Sequence, residues 1–373
     1  MNAPRAGPGC VSAILRSTLV LALAASGATR AYAQTGTQLQ GEPETPNART
    51  ATRGGQFLAI PVGARALALG GSVTADVSGV TSMFWNPAGL AHAQGVGLGY
   101  SYSELFEGTD ITHQYAGVYL PLGWGTVGVS VVSLGSGAIT RTTLAFPDGG
   151  DPLFGETFEF RASSIGVHAA TRLTEQFVFG GAIKSVREGI DDASTTWLGF
   201  DLGLQFETGL WGTTLGASLV NVSGDSRWDG VDRRLGPEEL QVPQIVDVAV
   251  KTIAVPLPMA FRFSVALDVM GPTTAVLGAS SAHAVKVIAD ATDAIDTNLN
   301  LSLGAEYGFR DILFLRGGWR TLSEDRAPWE TVDHLSGGFG LRLPVRPLMR
   351  LDYAFSQFGE LGSRQVFSFE VEF

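Results

Sequence analysis

Side chains that could carry out chemistry are sparse in this sequence, and their spacing forms no recognisable site. The sequence contains no H-E-x-x-H zinc pair, no G-x-S-x-G nucleophile elbow and no G-x-x-x-x-G-K-[ST] phosphate loop. The acidic pair Asp191-Asp192 has no partner motif, and a solvated loop is the simpler interpretation. The histidines are widely separated: His92, His113, His168, His283 and His334. We therefore predict no catalytic residue, no metal site and no cofactor.

The segments that would have to position any site alternate apolar and polar residues at period two. This is the pattern of a strand with one apolar face. In residues 261–269, for example, Phe, Phe, Val, Leu and Val alternate with Arg, Ser, Ala and Asp. The segments match the ~9–11 residues of a tilted membrane strand, and no apolar run reaches the ~20 residues of a membrane helix. Since only helices and closed barrels can cross lipid, the pattern predicts an all-β, transmembrane antiparallel β-barrel.

The barrel is predicted to have about fourteen strands. They lie near residues 95–103, 111–120, 124–134, 157–171, 176–188, 195–207, 211–221, 243–254, 258–270, 297–309, 312–321, 334–343, 346–356 and 364–373. The connections alternate long and short: 135–156, 222–242 and 271–296 are long, whereas 174–175 and 310–311 are tight. Long external loops and short periplasmic turns are typical of outer-membrane barrels.

Composition supports this fold class and argues against others. The chain is 45% hydrophobic and only 16% charged, with 48 glycines among 373 residues, which fits neither a disordered chain nor a helical enzyme. A formal net charge of −11 argues against nucleic acid as a partner. A soluble barrel or sandwich would also alternate, but the polar faces here are rich in Gly, Ala and Ser, which suit a crowded lumen. An enzyme on a membrane barrel stays open as an alternative, although no residue marks one.

The N-terminus has the features of a secretory signal peptide in residues 1–33. An apolar stretch over residues 19–25 follows positive charge, and an A-x-A cleavage site ends at Ala33. The only cysteine, Cys10, precedes the apolar stretch, so the mature chain is expected to have no disulfide. Residues 34–53 are predicted to form a flexible leader.

The last strand ends on the final residue of the sequence. Phe369, Val371 and Phe373 share its apolar face, and polar residues alternate with them. This tail resembles the C-terminal sorting signal that the barrel-assembly machinery reads in bacterial outer-membrane barrels. We therefore expect the cell outer membrane as the destination, with outer-membrane lipid around the barrel.

Both signs of charge fall on the polar faces of the predicted strands, which would point into the lumen. The residues are Asp201, Arg262, Asp268, Glu306, Arg316, Arg320, Arg342, Arg350, Asp352 and Glu370. Mixed charge inside a barrel predicts cross-strand pairs that close the pore or fasten a plug. A selectivity lining is the alternative interpretation.

Residues 54–94 differ from the barrel region, residues 95–373, and their glycines and prolines predict short helical pieces. The distinctive residues, in the runs GARALALGG and WNPAGL, are Gly63, Arg65, Gly70, Gly71, Trp85, Asn86, Pro87 and Gly89. This combination resembles the start of the PorV/PorQ family of outer-membrane proteins. That family is similar to the FadL long-chain fatty-acid transporters, which share an Asn-Pro-Ala motif before the first strand.

The resemblance implies a fourteen-stranded barrel whose N-terminal segment, residues 54–94, folds inside the lumen as a plug. It also implies two alternative functions. PorV acts in type IX secretion and receives secreted cargo proteins, whereas FadL-type relatives move hydrophobic small molecules. The motif combination favours the secretion role and leaves transport of a hydrophobic ligand as the alternative. For Asn86-Pro87-Ala88, a simple helix-to-strand corner is as good an interpretation as a transport role.

Overall fold

The computed structural model describes residues 53–106, 108–142, 146–150, 156–229, 231–232, 248–249, 252–297, 299–321, 335–357 and 362–373. The predicted signal peptide, its cleavage site and nearly all of the predicted leader lie outside these residues. No helix in the described part of the chain is long and apolar enough to cross a membrane.

Fourteen strands close into one antiparallel barrel, in which each strand pairs with its neighbours in the chain and the last pairs with the first. They are β1 (Gly97–Glu104), β2 (Thr112–Leu122), β3 (Gly125–Gly135), β4 (Phe160–Arg172), β5 (Phe177–Ile190), β6 (Ala193–Glu207), β7 (Thr213–Ser223), β8 (Ala260–Met270), β9 (His283–Ala294), β10 (Asn300–Phe309), β11 (Leu313–Arg320), β12 (Leu335–Leu343), β13 (Leu348–Gln357) and β14 (Ser363–Glu372). The prediction of an all-β, closed barrel of about fourteen strands is confirmed.

The number of strands is right, but two assignments within it are wrong and offset each other. Among the described residues of the segment 243–254, only Val248–Ala249 is a strand, and it pairs with Val231–Asp232 outside the barrel. Conversely, β9 lies inside the segment 271–296, which was predicted to be a loop. The apolar signal of β9 is weak because its faces carry alanines, a residue that buries little surface and is depleted in strands.

The two ends of the barrel differ in their connections. At the end where β1 begins, called the turn end, the chain turns quickly, for example over residues 123–124 and 310–312. At the opposite end, called the loop end, the connections 136–159 and 224–259 are long. Because β9 is a strand, the connection 271–282 falls at the turn end. The prediction that it belongs among the long external loops is therefore wrong.

Side chains alternate between the lumen and the outer surface along each strand. In β6, Leu198, Phe200 and Leu202 are exposed on the outer surface, whereas Asp201 and Gln205 are buried on the lumen side. A soluble barrel has the opposite arrangement, with its apolar face inward. Several aromatic residues of the barrel are exposed on the outer surface and at the turn end, among them Tyr100, Trp124, Trp211, Trp319 and Phe373; outer-membrane barrels carry such aromatic residues at the membrane interfaces.

Candidate functional site: the occupied lumen

The segment 54–94, referred to below as the plug, lies inside the barrel. It consists of a 3-10 turn (Gln56–Ala59), helix α1 (Ala64–Ala68), helix α2 (Ser82–Trp85) and a 3-10 helix (Pro87–His92). The pieces are short because glycines with positive φ interrupt them, such as Gly63 before α1. Asn86 starts the last piece by accepting a hydrogen bond from the amide of Ala88.

Close packing of the plug against the wall depends on glycine. At Gly70, where φ is 68°, the chain turns directly against β11. A Cβ atom on Gly318 would lie only 2.1 Å from the Gly70 nitrogen. The neighbouring Gly317 faces outward, and a Cβ there would meet nothing within 4 Å. The lumen face of β11 therefore needs glycine at residue 318 to admit the plug backbone, whereas residue 317 on the outer face has room for a side chain.

Asn86 joins the plug to strand β6. Its Nδ2 donates to the backbone oxygens of Thr74, at 2.8 Å, and Leu204, at 3.0 Å. Gly203 makes room for this contact, since a Cβ there would lie 2.0 Å from the Asn86 side-chain oxygen. Asn86 thus makes both the helix-to-strand corner and a contact with the barrel.

Trp85 fixes the middle of the plug. Its indole nitrogen donates to the Val62 oxygen at 2.9 Å, and the Arg262 guanidinium lies 4.8 Å from the ring centroid. The Trp85 backbone oxygen also accepts from the Ser218 hydroxyl at 3.0 Å. A cation over an indole face is favourable, and more so away from water.

A network of ion pairs, called here the latch, ties the plug to the wall. Arg65 donates to both carboxylate oxygens of Glu306, at 2.9 and 3.0 Å, and also pairs with Asp76 of the plug. Lys286 of β9 binds Asp76, and Arg316 of β11 binds Glu306. Each carboxylate of the latch therefore has two cationic partners.

The latch holds Asp76 in its ionised form. Burial alone would raise the pKa of this carboxyl, but the charges of Lys286 and Arg65 outweigh burial and lower it below its usual value. Burial likewise works against the charge of the Arg65 guanidinium, yet Glu306 and Asp76 together raise its pKa. Asp76 and Arg65 are therefore both charged at neutral pH.

Further side chains hold plug backbone groups around the barrel. On β14, Ser368 accepts from the Ala64 amide at 2.8 Å and Glu370 accepts from the Val80 amide at 3.0 Å. On β9, Asp290 accepts from the Thr74 amide at 3.1 Å. These contacts, with those from β6, β7, β8 and β10, hold the plug from several strands of the barrel wall.

The structure brings together most of the residues singled out in the sequence. Gly63, Arg65, Gly70, Gly71, Trp85, Asn86, Pro87 and Gly89 all lie in the plug. All ten charged residues predicted to face inward occupy lumen positions of their strands. The tail residues Phe369 and Phe373 lie apart from this site, exposed on the outer surface of β14 and at the turn end, whereas the third tail residue, Val371, is buried.

Sequence reasoning missed several residues of the site. Lys286 and Asp290 belong to the unrecognised strand β9, where alternation of charge with valine and alanine was the available signal. Asp76 carried no signal of its own. Within the described ranges, no three His, Cys, Asp or Glu side chains are grouped so that they could hold a metal ion.

The loop-end half of the lumen carries an apolar patch, called here the apolar lining. It consists of Val132, Leu134, Ala162, Val186 and Trp197, which point inward from β3, β4, β5 and β6. Phe57 and Leu58 of the plug belong to the same buried cluster. Lumens of outer-membrane barrels are usually polar, so this patch is unusual.

Charged side chains surround two cavities in the turn-end half of the lumen. A cavity of about 220 Å³ lies beside the latch and is lined by Arg65, Glu306 and Arg316 among others. A second cavity of about 610 Å³, at the turn end, is lined by His92 and Glu372 among others. Ser78, Arg342, Arg350 and Glu370 line both cavities. Side chains of both charge signs therefore line both cavities.

By sequence, no protein-family model and no curated protein matches this chain. By structure, the toluene transporter TbuX of Ralstonia pickettii matches with a TM-score of 0.52 at 12% identity, over 83% of this chain and 98% of that one. A FadL homologue of Pseudomonas aeruginosa matches with a TM-score of 0.51 at 13% identity, over 84% and 98%. The toluene transporter TodX of Pseudomonas putida matches with a TM-score of 0.50 at 12% identity, over 83% and 96%. The chain thus has the fold of FadL-like outer-membrane β-barrels.

Proposed function

We propose that this protein is an outer-membrane barrel that carries hydrophobic small molecules across that membrane. The observation that carries the proposal is the apolar lining in the loop-end half of the lumen. A barrel that only sealed itself with a plug would need no such patch, since a polar lumen could hold the plug through hydrogen bonds and ion pairs.

The outer surface supports the membrane location. Large apolar side chains point outward along the strands, for example Ile165, Val167 and Leu202, and all three are exposed. Exposed apolar area of this extent is rare on soluble monomers and is expected where a surface meets lipid. The solved structures with the same fold include two described as toluene transporters, which supports transport of an apolar solute.

The apolar lining also suggests where a solute would bind. Phe57 and Leu58 cover the lining in the structure, so an apolar solute would take the place of these two side chains. Burial of an apolar side chain or a solute of similar area releases ~25 cal/mol per Å². The free energy of replacing the two side chains by a solute of similar area is therefore close to zero, which allows a solute both to bind and to leave.

Uptake of labelled toluene by cells that lack other hydrocarbon channels tests this proposal. The test variant Val132→Thr/Val186→Thr adds two hydroxyl groups to the lining with little change in volume. We expect this variant to slow uptake by roughly tenfold, since an unpaired hydroxyl in an apolar site costs ~1–3 kcal/mol. The matched control is Val129→Thr, on the outer surface of β3 and 43% exposed, which should leave uptake unchanged.

Two results would contradict this proposal, the first by rejecting transport and the second by rejecting the apolar lining as the place where the solute binds. One is uptake by wild-type cells no faster than by cells without the barrel. The other is equal uptake by the lining variant and the control. Heat-modifiable gel mobility of each variant confirms that the barrels compared are folded.

The secretion role, favoured by the resemblance to the PorV/PorQ family, is a second candidate. The observation in its favour is acidity at the loop end, where Asp148, Asp191, Asp192, Asp225 and Asp229 lie in connections between strands. Such a surface suits a protein partner. A pull-down from detergent extract, with mass spectrometry of proteins and lipids, separates the candidates. Secreted proteins with a shared C-terminal domain would favour secretion, and a bound hydrocarbon without a protein partner would favour transport.

A further inference from the structure

Four side chains at the turn end of the barrel form a compact group, called here the interfacial cluster. They are His283, at the start of β9, Tyr307 and Phe309, in β10, and Arg310, directly after β10. His283 Nδ1 and the Tyr307 hydroxyl are joined by a hydrogen bond of 2.8 Å, and the two rings are stacked with their centroids 6.0 Å apart. The Phe309 ring centroid lies 5.5 Å from that of His283 and 5.3 Å from the guanidinium carbon of Arg310. Phe309 therefore has an imidazole and a guanidinium beside its ring.

The interfacial cluster lies where the apolar outer surface of the barrel ends. His283 and Phe309 are paired across β9 and β10, at outward-facing positions of the two strands. Beside them on β11, Leu313 and Leu315 also face outward and are 52% and 62% exposed, and the chain turns over residues 310–312. Short turns of outer-membrane barrels face the periplasm, so the cluster lies at the depth of the head groups of the periplasmic leaflet. Aromatic and basic side chains are favoured at such an interface.

The backbone at Arg310 is unusual for an arginine. Arg310 and Asp311 form the centre of a tight turn, which the Ile312 amide closes by donating to the Phe309 oxygen at 3.0 Å. Their φ angles are 53° and 56°, in the left-handed region where Gly, Asn and Asp are preferred. The Arg310 amide donates to the Ala282 oxygen at 2.8 Å, which helps to hold this conformation. Residues kept in such a sparsely populated conformation cluster at ligand-binding sites.

The positive charge of Arg310 is matched by no ion pair with a described carboxylate. The adjacent carboxylate, Asp311, is bound by Arg342 instead. In His283, Nδ1 is bound to Tyr307, and Nε2 makes no hydrogen bond with a described residue. When Nδ1 accepts from the Tyr307 hydroxyl, Nε2 carries the ring proton and can donate to a ligand. The cluster therefore offers a cation and a donor next to apolar surface, which is complementary to an anionic head group on an acyl chain.

We propose that the interfacial cluster binds the head group of a phospholipid of the periplasmic leaflet. The phosphodiester accepts hydrogen bonds from the Arg310 guanidinium, whose planar set of donors matches phosphate geometry. His283 Nε2 donates to another oxygen of the same head group, and an acyl chain lies along Leu313 and Leu315. The inference rests on the outer-membrane location and not on transport, because the lipid binds the outer surface whatever the lumen carries.

Native mass spectrometry of the purified full-length barrel in uncharged maltoside micelles tests the proposal by measuring lipid binding at increasing lipid concentration. The probes are dioleoyl phosphatidylglycerol and dioleoyl phosphatidylethanolamine, which share the phosphodiester, and dioleoylglycerol, which lacks it. The test variant is Arg310→Asn, because asparagine suits a left-handed turn position and the barrel should assemble normally. We expect this variant to bind both phospholipids about fivefold or more weakly and to bind dioleoylglycerol as wild type does. The matched control is Arg161→Gln, which removes an arginine that is paired with Glu159 on the outer surface near the loop end and should bind all three lipids as wild type does.

Three results would overturn the lipid site. They are equal affinity of wild type and Arg310→Asn for phosphatidylglycerol, equal binding of dioleoylglycerol and the two phospholipids by wild type, and binding of phosphatidylglycerol without phosphatidylethanolamine, which would show recognition of net charge instead of the phosphodiester. His283→Phe keeps a ring at that position and should weaken binding of both phospholipids, and unchanged affinity in this variant would contradict the second contact. Toluene uptake is measured separately, so a barrel that fails to transport can still show the lipid site.

Discussion

Removal of the Arg65 side-chain charge should loosen the plug while the barrel remains intact. The change Arg65→Gln eliminates the paired hydrogen bonds to Glu306 and the ion pair to Asp76. Loss of one partner from a buried ion pair costs about 3–5 kcal/mol. Here Arg316 still binds Glu306 and Lys286 still binds Asp76, so we expect a smaller cost, about 1–3 kcal/mol.

A cost of this size changes how often the plug is displaced. Since each 1.4 kcal/mol corresponds to about a factor of ten, the displaced population should rise roughly fivefold to a hundredfold. The strands keep all their backbone hydrogen bonds, so the temperature of barrel unfolding should barely change. Planar-bilayer recordings measure displacement of the plug as brief openings, and heat-modifiable gel mobility measures the temperature at which the barrel unfolds.

Three further proteins make the experiment decisive. Deletion of residues 54–94 gives the conductance of a lumen without its plug. Arg342→Gln removes a lumen charge that is paired with the exposed Asp311 and makes no ion pair or hydrogen bond with a described plug residue, so its recordings should match wild type. Arg65→Lys keeps the positive charge but not the paired hydrogen bonds to Glu306, so its frequency of openings should lie between those of wild type and Arg65→Gln. Recordings of Arg65→Gln as quiet as wild type, or equal openings in Arg342→Gln, would refute the idea that the latch holds the plug.

Three other outcomes follow from the same contacts. Because the pKa of Asp76 is lowered in the folded protein, its ion pairs stabilise the plug above about pH 4 and are lost as the pH falls further. Openings should therefore stay rare between pH 7 and 5 and become more frequent only below about pH 4. Gly318→Ala should weaken docking of the plug by about 1–3 kcal/mol, because its Cβ would overlap the Gly70 backbone. Gly317→Ala should leave docking unchanged, since a Cβ there meets no atom within 4 Å. Protease should therefore cleave the plug faster in Gly318→Ala than in Gly317→Ala. Phe373→Asp, at the 68% exposed last residue, should lower outer-membrane levels in cells while costing the folded barrel only ~0–1 kcal/mol, and normal levels would count against a sorting role.

The sequence predicts those features of the fold that repeat along the chain. Alternation over segments such as 198–206 identifies strands because each outward residue is large and apolar. It fails for β9, whose outward residues include Ala289 and Ala291 and whose lumen residues include Lys286. The predicted count of fourteen strands therefore matches the barrel partly because the barrel strand assigned near residues 243–254, which the barrel does not contain, offsets the missed strand β9.

The site could be predicted in its location but not in its contacts. The runs around Arg65 and Asn86 place a plug before the first strand, and the inward charges suggest that it is fastened. The partners could not be read from one sequence, since Arg65 meets Glu306 across 241 positions. Only closure of the barrel brings such distant residues together, and periodicity carries no information about which lumen charge faces which.

The contacts of β14 with the plug bear on how the barrel is made. The last strand of the chain pairs with β1 to complete the wall, and its lumen face also receives the plug, through Ser368 and Glu370. One strand therefore both completes the wall and holds the plug, so a change on its lumen face would affect the seal of the barrel as well as its closure. A barrel that lacked the plug would leave Ser368 and Glu370 of β14 without these two backbone partners.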